Sequence, residues 1–446
     1  MATRISRTNT TPTLSTKCTF SAWVKRTDTA LNNSGRDAGI IEVYTDADNY
    51  AWIRFDGSDE IQIYARNSSG NVLVGQTSRK FRDTNAWYHI VMVADSTEST
   101  SSDRLKLYIN GELETFSSSI YPSGDVLFNI SGATLCLGNS LKYTSNFQFD
   151  GQYSHVHFID GEAYQASTFG STDSSTGEWK INTSPTITEY GANGFFMFKD
   201  DASLNDNSGK GNNFTVAVGS IQKTEDNPSN NFATFNPLIP QGLAYANGNL
   251  SPTHNASSWK TAYGTLAMSG TGKYYFESKV STLGSYQGVG IVDAEQISSS
   301  AQMFADNSRG YAYKSTGQLE NNNSEPATFS SYTTGDIIMT AVDLNAGVIW
   351  YGKNGTWQNS ATQSEIEAGT TTNACFTGVS NSYVYLPAVA IFGSGTNQTN
   401  FGNGYFGTTA ITTNSGNGYS GADGASKFSY QPPTGYSAIS TKGLNL

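Results

Sequence analysis

The sequence predicts an all-β chain of two tandem antiparallel β-sandwiches with few or no long helices, and three observations carry that prediction. First, one strand–turn–strand pattern is written twice. Residues 87–94 form a run apolar on both faces that enters a turn at Asp95 and returns through 105–109 to Asn110-Gly111. Residues 335–342 do the same, turning at Asp343 and returning through 348–353 to Asn354-Gly355. Asn-Gly after a partly alternating run is the strongest short-range hairpin signal. Apolarity on both faces marks a central strand covered on both sides, as in a sheet packed on a sheet. Second, the copies stand about one domain length apart in a chain of 446 residues, which suits two cores of roughly 200 residues each. Third, charged residues are only 14% of the chain, while 45 Gly, 25 Tyr and 23 Phe are present. An average globular protein carries roughly 25% charge, so this is the composition of short strands joined by tight turns, with enough aromatic material to exclude disorder.

Strand candidates follow in order as β-branched and aromatic runs bounded by Gly, Asn, Asp and Ser clusters. In the first half they are 18–25, 38–44, 50–56, 60–66, 87–94, 105–109, 134–138 and 147–158, followed by 194–199 and 213–218. In the second half they are 272–280, 286–292, 309–314, 336–342, 347–351, 375–378 and 385–392. Residues 364–368 support a turn or two of helix at most. A polar stretch broken by Pro228, residues 223–231, reads as the linker, and 236–243 as an irregular lead-in. The domains are therefore expected at 1–228 and 229–446. Residues 393–426, rich in Gly, Asn, Ser and Thr, read as a long surface excursion before a closing strand.

The net charge of −11 comes with no clustered Lys or Arg. Phosphate neutralisation needs such clusters, so nucleic-acid binding is disfavoured, as is an anionic bilayer surface. Cys18, Cys136 and Cys375 are isolated, which argues against structural zinc and a disulfide framework and for small buried thiols. Residues 1–7 lack the apolar stretch of a signal peptide, and no run reaches the ~18 apolar residues of a spanning helix. Synthesis in a cytoplasm without export is expected, yet the turn-rich, low-charge surface suits work outside cells. A virion component released by lysis reconciles the two.

Several motifs carry a resemblance. Thr19-Phe20-Ser21-Ala22-Trp23-Val24-Lys25, the 48–55 segment, Trp87-Tyr88-His89-Ile90-Val91 with Leu107-Tyr108-Ile109-Asn110-Gly111, and the run from Phe149 to Ala163 resemble the laminin-G/concanavalin A-like superfamily over roughly 15–165. The extension through Gly177-Glu178-Trp179 to Phe214 resembles proteins encoded by marine bacteriophages, particularly those of cyanobacteria. Lys273-Tyr274-Tyr275-Phe276-Glu277, Val289-Gly290-Ile291-Val292, the second copy of the hairpin pattern, Asn400-Phe401-Gly402 and the 428–436 segment resemble the SPRY domain. Both resemblances imply concanavalin A-like jelly rolls. Together they imply a phage virion protein, and with no shaft sequence before the first sandwich, a compact, directly docked particle component.

Candidate sites rest on residue chemistry. Glu112 and Glu114 have the i, i+2 spacing that places two carboxylates on one strand face, as a glycosidase needs; acids on a solvated face are the simpler reading. Glu365 and Glu367 sit in a Thr-rich stretch and read as solvent contacts. His155 and His157 share a strand face and lack an evident third metal ligand, so they read as polar outward-facing side chains. Asp46 and Asp48, and Asp206 with Asn207, offer the hard oxygens calcium takes, although Asx-rich turns arise without an ion. Sugar recognition needs an exposed aromatic ring with amides beside it, for which Tyr311 and Tyr313 near Asn322, and Trp357 beside Gln358, are the candidates. A loop Trp such as Trp357 also serves as a lid over a core edge, and Trp23, Trp52, Trp87 and Trp350 lie inside strands and read as core.

No nucleophile elbow and no sandwich-glucanase carboxylate motif occurs. The expectation is a non-enzymatic virion structural protein without a required cofactor, homo-oligomeric in the particle and attached to tail or capsid proteins. It binds host-surface glycan or receptor through sandwich rim loops. A decoration or cement protein bound mainly to other subunits is the alternative, and a polysaccharide-degrading enzyme the second alternative.

Overall fold

A computed structural model describes residues 3–29, 36–143, 147–300, 302–412 and 418–445. It is nearly all β and divides into two compact units, Met1–Lys223 and Thr224–Leu446, so the chain parts inside the polar stretch expected to be the linker.

In the first unit two antiparallel sheets enclose one core. The larger runs Phe116–Ile120, Gly70–Thr77, Ile61–Asn67, Tyr50–Phe55, Ala38–Tyr44, Thr134–Leu137, Arg4–Thr8 and Thr215–Val218. The smaller runs Phe195–Met197, Gly151–Asp160, Lys17–Arg26, Tyr88–Asp95, Leu105–Ile109 and Glu112–Leu113. Alternate residues of each strand, such as Phe20, Ile53, Met92 and Leu107, meet in the buried interior. The pleat sends the residues between them to the outside.

Tyr88–Asp95 is buried along its whole length, as its two-sided apolarity implies, but its outer cover is the extension, which carries only the small two-stranded sheet Gly170–Thr172 with Trp179–Ile181. Val91 and Val93 pack under Ala166 and Phe169 of the extension, with Trp179 and Tyr190 alongside. The second unit repeats this plan. Its larger sheet runs Ala244–Ala246, Ser251–His254, Gly395–Asn400, Lys273–Thr282, Ile337–Asp343, Val348–Lys353 and Thr356–Trp357. Its smaller sheet runs Trp259–Tyr263, Tyr385–Phe392, Tyr286–Asp293, Gly310–Lys314 and Leu319–Glu320. Ile338 and Val342 face the sandwich interior, whereas Met339 and Ala341 face outward beneath Phe428, Tyr436, Trp357 and Ile366. Ile366 belongs to Gln363–Ala368, the only α-helix among the described residues.

The duplicated pattern is one device built twice. Asn110 and Gly111 have φ of 51° and 81°, and Asn354 and Gly355 have 51° and 85°. Those left-handed pairs close the two-residue turns that match strand twist. Each Asn also ties the turn to the strand before it. Asn110 N–H donates to the His89 carbonyl at 2.9 Å, and its Oδ1 accepts from His89 N at 2.7 Å. Asn354 N–H donates to the Ile337 carbonyl at 2.9 Å, and its Oδ1 accepts from Ile337 N at 2.8 Å. At the opposite end, Lys17 pairs with Asp95 at 2.8 Å and Lys273 with Asp343 at 3.1 Å, each across registered neighbours.

Two expectations are corrected. Residues 393–426 are not an excursion: Gly395–Asn400 lies between Lys273–Thr282 and Ser251–His254 in the larger sheet, and Phe401 is fully buried; residues 413–417 lie outside the described residues. The strand expected to begin at 147 begins at Gly151, because Phe147 instead packs against Tyr50 and Trp52.

Candidate functional site

The sugar-binding candidates chosen from sequence are mostly interior. Tyr311 and Tyr313 are buried on Gly310–Lys314, and the Tyr313 hydroxyl donates to the Ser330 carbonyl. Their side chains point into the sandwich with Val289 and Tyr385, so neither offers a ring to solvent. Trp357 is a lid: it covers Met339 and Trp350, and its Nε1–H donates to Gln363 at 2.9 Å. Gln358 is buried beside it and accepts from Ser330 N at 3.2 Å. Asn322 is exposed, in the left-handed conformation with φ of 54°, and no ring candidate accompanies it.

The acidic candidates have local duties. Asp46 Oδ1 accepts from Asp48 N at 2.9 Å, Asn49 N at 3.0 Å and Asn49 Nδ2 at 2.8 Å. Those bonds hold its carboxyl below the usual range. Asp48 is exposed, 3.9 Å from Arg66. Asp206 accepts from Phe196 N, Ser208 N, Ser208 Oγ and Asn212 N at 2.8–3.0 Å. Four donors occupy the acceptor sites of a carboxylate, so Asp206 does not fit a calcium ligand, and Asn207 beside it turns its amide to Asn205. Among the described residues no three His, Cys, Asp or Glu side chains gather as a metal would require. Glu114 is paired with Arg79 at 2.7 Å, while Glu112 is exposed. Glu365 closes a capping box with Thr362 at the helix start, its Oε2 accepting from Thr362 N at 2.8 Å, and Glu367 accepts from Thr434 N at 2.9 Å.

The histidines are not exposed to solvent: Val156 and Phe158 face the core as expected, but the outer side of the strand is covered. His155 sits at an irregularity in its strand, with φ of 47°. His157 stacks on Phe196 at 3.9 Å between ring centroids, and its Nδ1 meets the Tyr190 hydroxyl at 2.8 Å. His89 lies between the indoles of Trp23 and Trp179, with centroids at 4.8 and 6.0 Å. Trp179 Nε1–H donates to His89 Nδ1 at 2.9 Å, so the neutral ring carries its proton on Nε2, directed at Ser21 Oγ 2.9 Å away. Burial pushes His89 down to about 3 and His155 to about 4, and holds His157 well below the ordinary value. These residues glue the extension to the sheet.

The outer side of the first unit's larger sheet gathers a different set. Tyr50, Trp52 and Arg54 alternate with the interior residues Ala51, Ile53 and Phe55, and Trp52 lies opposite Tyr64 in register. Ring centroids are 4.8 Å apart for Tyr50–Trp52 and 4.9 Å for Trp52–Tyr64. Arg54 lies 4.9 Å over Trp52 and Lys142 lies 3.3 Å over Tyr50. Trp52 therefore is buried, as expected, but outside the sandwich interior, under Phe147 and Tyr143. Tyr143 is 43% exposed. Its loop is pinned by the buried Glu42, whose carboxylate accepts from Ser140 Oγ and Leu141 N, both at 2.5 Å. Along the open side run amides: Gln62 accepts from Trp52 Nε1, Gln62 donates to Gln76, and Asn71 accepts from the Tyr64 hydroxyl at 2.6 Å. Rings and amides thus share one face. The sequence signal was Tyr-x-Trp-x-Arg at 50–54, since side chains two apart share a strand face.

A rim cleft of ≈ 360 Å³ stands beside the Asp46 turn, lined among others by Ser15, Thr45, Asn49, Asp125 and Asn129. Leu127, which also lines it, holds φ of 66°, a conformation costly for a residue with a Cβ.

Comparison with known families matches residues 3–167 to the concanavalin A-like lectin/glucanases superfamily, as a Laminin_G_3 domain, and residues 273–403 to the SPRY domain. No curated protein matches the chain. Similar solved structures include the SPRY domain of human HERC1, with 21% identity over 37% of this chain and 96% of that one, and a TM-score of 0.30. The native heptameric SAP-like pentraxin from Limulus polyphemus shows 15% identity over 44% and 86%, with a TM-score of 0.29. The CBM40 of the Ruminococcus gnavus IT-sialidase, bound to alpha2,3 sialyllactose, shows 16% identity over 30% and 71%, with a TM-score of 0.23.

Proposed function

We propose that this chain, which carries a concanavalin A-like domain followed by a SPRY domain, is a non-enzymatic virion structural protein that binds host-surface glycan. The pair of domains points to binding, and the aromatic stack on the outer face of the first sandwich carries the glycan reading. Tyr64 and the exposed Tyr143 present rings, and Gln62, Gln76 and Asn71 present amides on the same face. Sugar rings offer C–H faces to aromatic side chains and hydroxyls to amides. The ligand therefore lies on a sheet face, not on the rim loops first expected. The virion setting rests on the resemblance of the extension to phage proteins.

Particles carrying Tyr64→Ala with Tyr143→Ala test the reading. Loss of adsorption to host-envelope polysaccharide with intact particles is expected. Unchanged adsorption overturns it, and release of reducing sugar by the wild-type chain replaces it with an enzyme. One observation favours attachment to other subunits as a second role. The edge strand Thr215–Val218 is exposed along its whole length, with Val216 and Val218 at 43% and 40%. An apolar edge without Lys or Pro invites strand addition by a partner. A particle that falls apart on Val216→Lys assigns that role.

A further inference from the structure

The second sandwich carries an aromatic cluster that the first site does not explain. Trp259, Phe392 and Tyr286 are direct cross-strand partners on three neighbouring strands of the smaller sheet. Their ring centroids form a compact triangle of 5.5, 6.0 and 6.3 Å. They lie on the outer face, because Val289 and Ile391 alternate with them into the interior. Most of that face is already covered: Met303, Phe304 and Ala305 pack on Ala388, Ala390 and Ala312, and Met303 lies against Gly288. The cover reaches Trp259 at the edge of the triangle and goes no further. Tyr286 is left 45% exposed, with Trp259 and Phe392 part-exposed beside it.

We infer that this triangle is a second carbohydrate site, taking a terminal ring of a neutral glycan. Size argues for a small ligand. Aromatic side chains bury roughly 150–250 Å² each, so three rings exposed by less than half offer at most ~300 Å². A stable protein interface takes about 800 Å² per partner. A triangle about 6 Å on a side matches one pyranose ring. Charge argues for a neutral one. The three loops bounding the triangle, residues 255–258, 283–285 and 393–394, contain no Asp, Glu, Lys or Arg, and they supply Ser257, Ser258, Ser285 and Ser394 as hydroxyl partners. Lys314, on the next row of the face, is neutralised by Glu320 at 3.1 Å and Glu325 at 2.7 Å. The inference goes beyond the function proposed above and does not depend on the first sandwich.

The test uses the full chain and follows tryptophan fluorescence during titration with soluble hexasaccharides of β-1,4-glucan, β-1,3-glucan and mannan, with a sialylated and a uronic-acid oligosaccharide as charged counterparts. At least one neutral probe is expected to bind, and Trp259→Ala or Tyr286→Ala to weaken it about tenfold or more, while Tyr64→Ala with Tyr143→Ala leaves that binding intact. Should Trp259→Ala fail to fold, Tyr286→Ser carries the test from an exposed position. The inference is overturned if no neutral probe binds, if binding survives both triangle variants, or if the charged probes are preferred. It is also overturned if Tyr286→Ala turns a dimer into a monomer, which would make the triangle an interface. Binding lost only in the Tyr64/Tyr143 variant leaves the proposed function standing and removes this second site.

Discussion

His89, His155 and His157 are neutral because the extension buries them, and that makes the first unit sensitive to acid. Their folded-state proton affinities are depressed, so below pH ~6.5 the unfolded chain binds protons that the folded one refuses. Stability is complete above that pH and falls as pH drops toward the folded values of about 4 for His155 and about 3 for His89. At pH 5 His89 and His155 each cost about 2 kcal/mol relative to neutral pH. Urea unfolding across this window should show the first unit weakening, and His157→Phe should flatten the slope; a slope unchanged by that variant removes the cause. These roles were hidden in the sequence. His155-x-His157 reads as a polar outer face only if that face is wet, and nothing local says that Phe169, Trp179 and Phe196 come to cover it. The same gap misplaced Tyr311 and Tyr313. Strand position was legible for them, but which side of the strand was covered was decided by segments far away in the chain.

At the scale of elements, the hairpins were the most legible feature, because Asn-Gly needs only its own backbone to make a turn. What the sequence did not reveal is the second use of each turn. Gly111 has φ of 81°, and a Cβ there would run into the Trp179 ring, which holds the extension down. Gly111→Ala therefore strains the backbone and displaces Trp179 together, and a loss of about 2–4 kcal/mol is expected. A thermal shift smaller than that of Gly70→Ala, where a Cβ meets nothing within 4 Å at φ of 127°, would contradict the Trp179 contact. Asn354→Ala removes the Oδ1 that accepts Ile337 N and should cost about 1 kcal/mol, read as a lower urea midpoint with an unchanged m-value. Polar strands were the illegible elements. Gly395–Asn400 has the composition of a loop, yet Asn397, Thr399 and Asn400 are buried because the sheet satisfies them, with Ser278 and Thr399 hydroxyls 3.0 Å apart.

In each unit a buried glutamate anchors an irregular covering segment, and the second of these opposes the histidines. Glu42 holds the 140–143 loop. Glu277, fully buried on Lys273–Thr282, accepts from Ser429 N at 2.9 Å, Tyr430 N at 2.8 Å and the Tyr275 hydroxyl at 3.0 Å. Burial outweighs those donors and pushes its carboxyl up to about 7. The folded second unit therefore keeps a proton that the unfolded chain releases above pH ~4.5, and stability falls as pH rises from there toward 7, by on the order of 3 kcal/mol. In the first unit the three histidines act the other way over an overlapping range, against the burial that raises Glu42. Calorimetry of the full chain should thus resolve two transitions, and lowering the pH from 7 to 5 should lower the first unit's and raise the second's. Glu277→Gln identifies the second transition, since it changes that transition's pH slope between 4.5 and 7 and leaves the other's unchanged. Two transitions that shift together, or a slope that Glu277→Gln leaves unchanged, would mean that the buried carboxyl and histidines do not set the stability of the units that contain them.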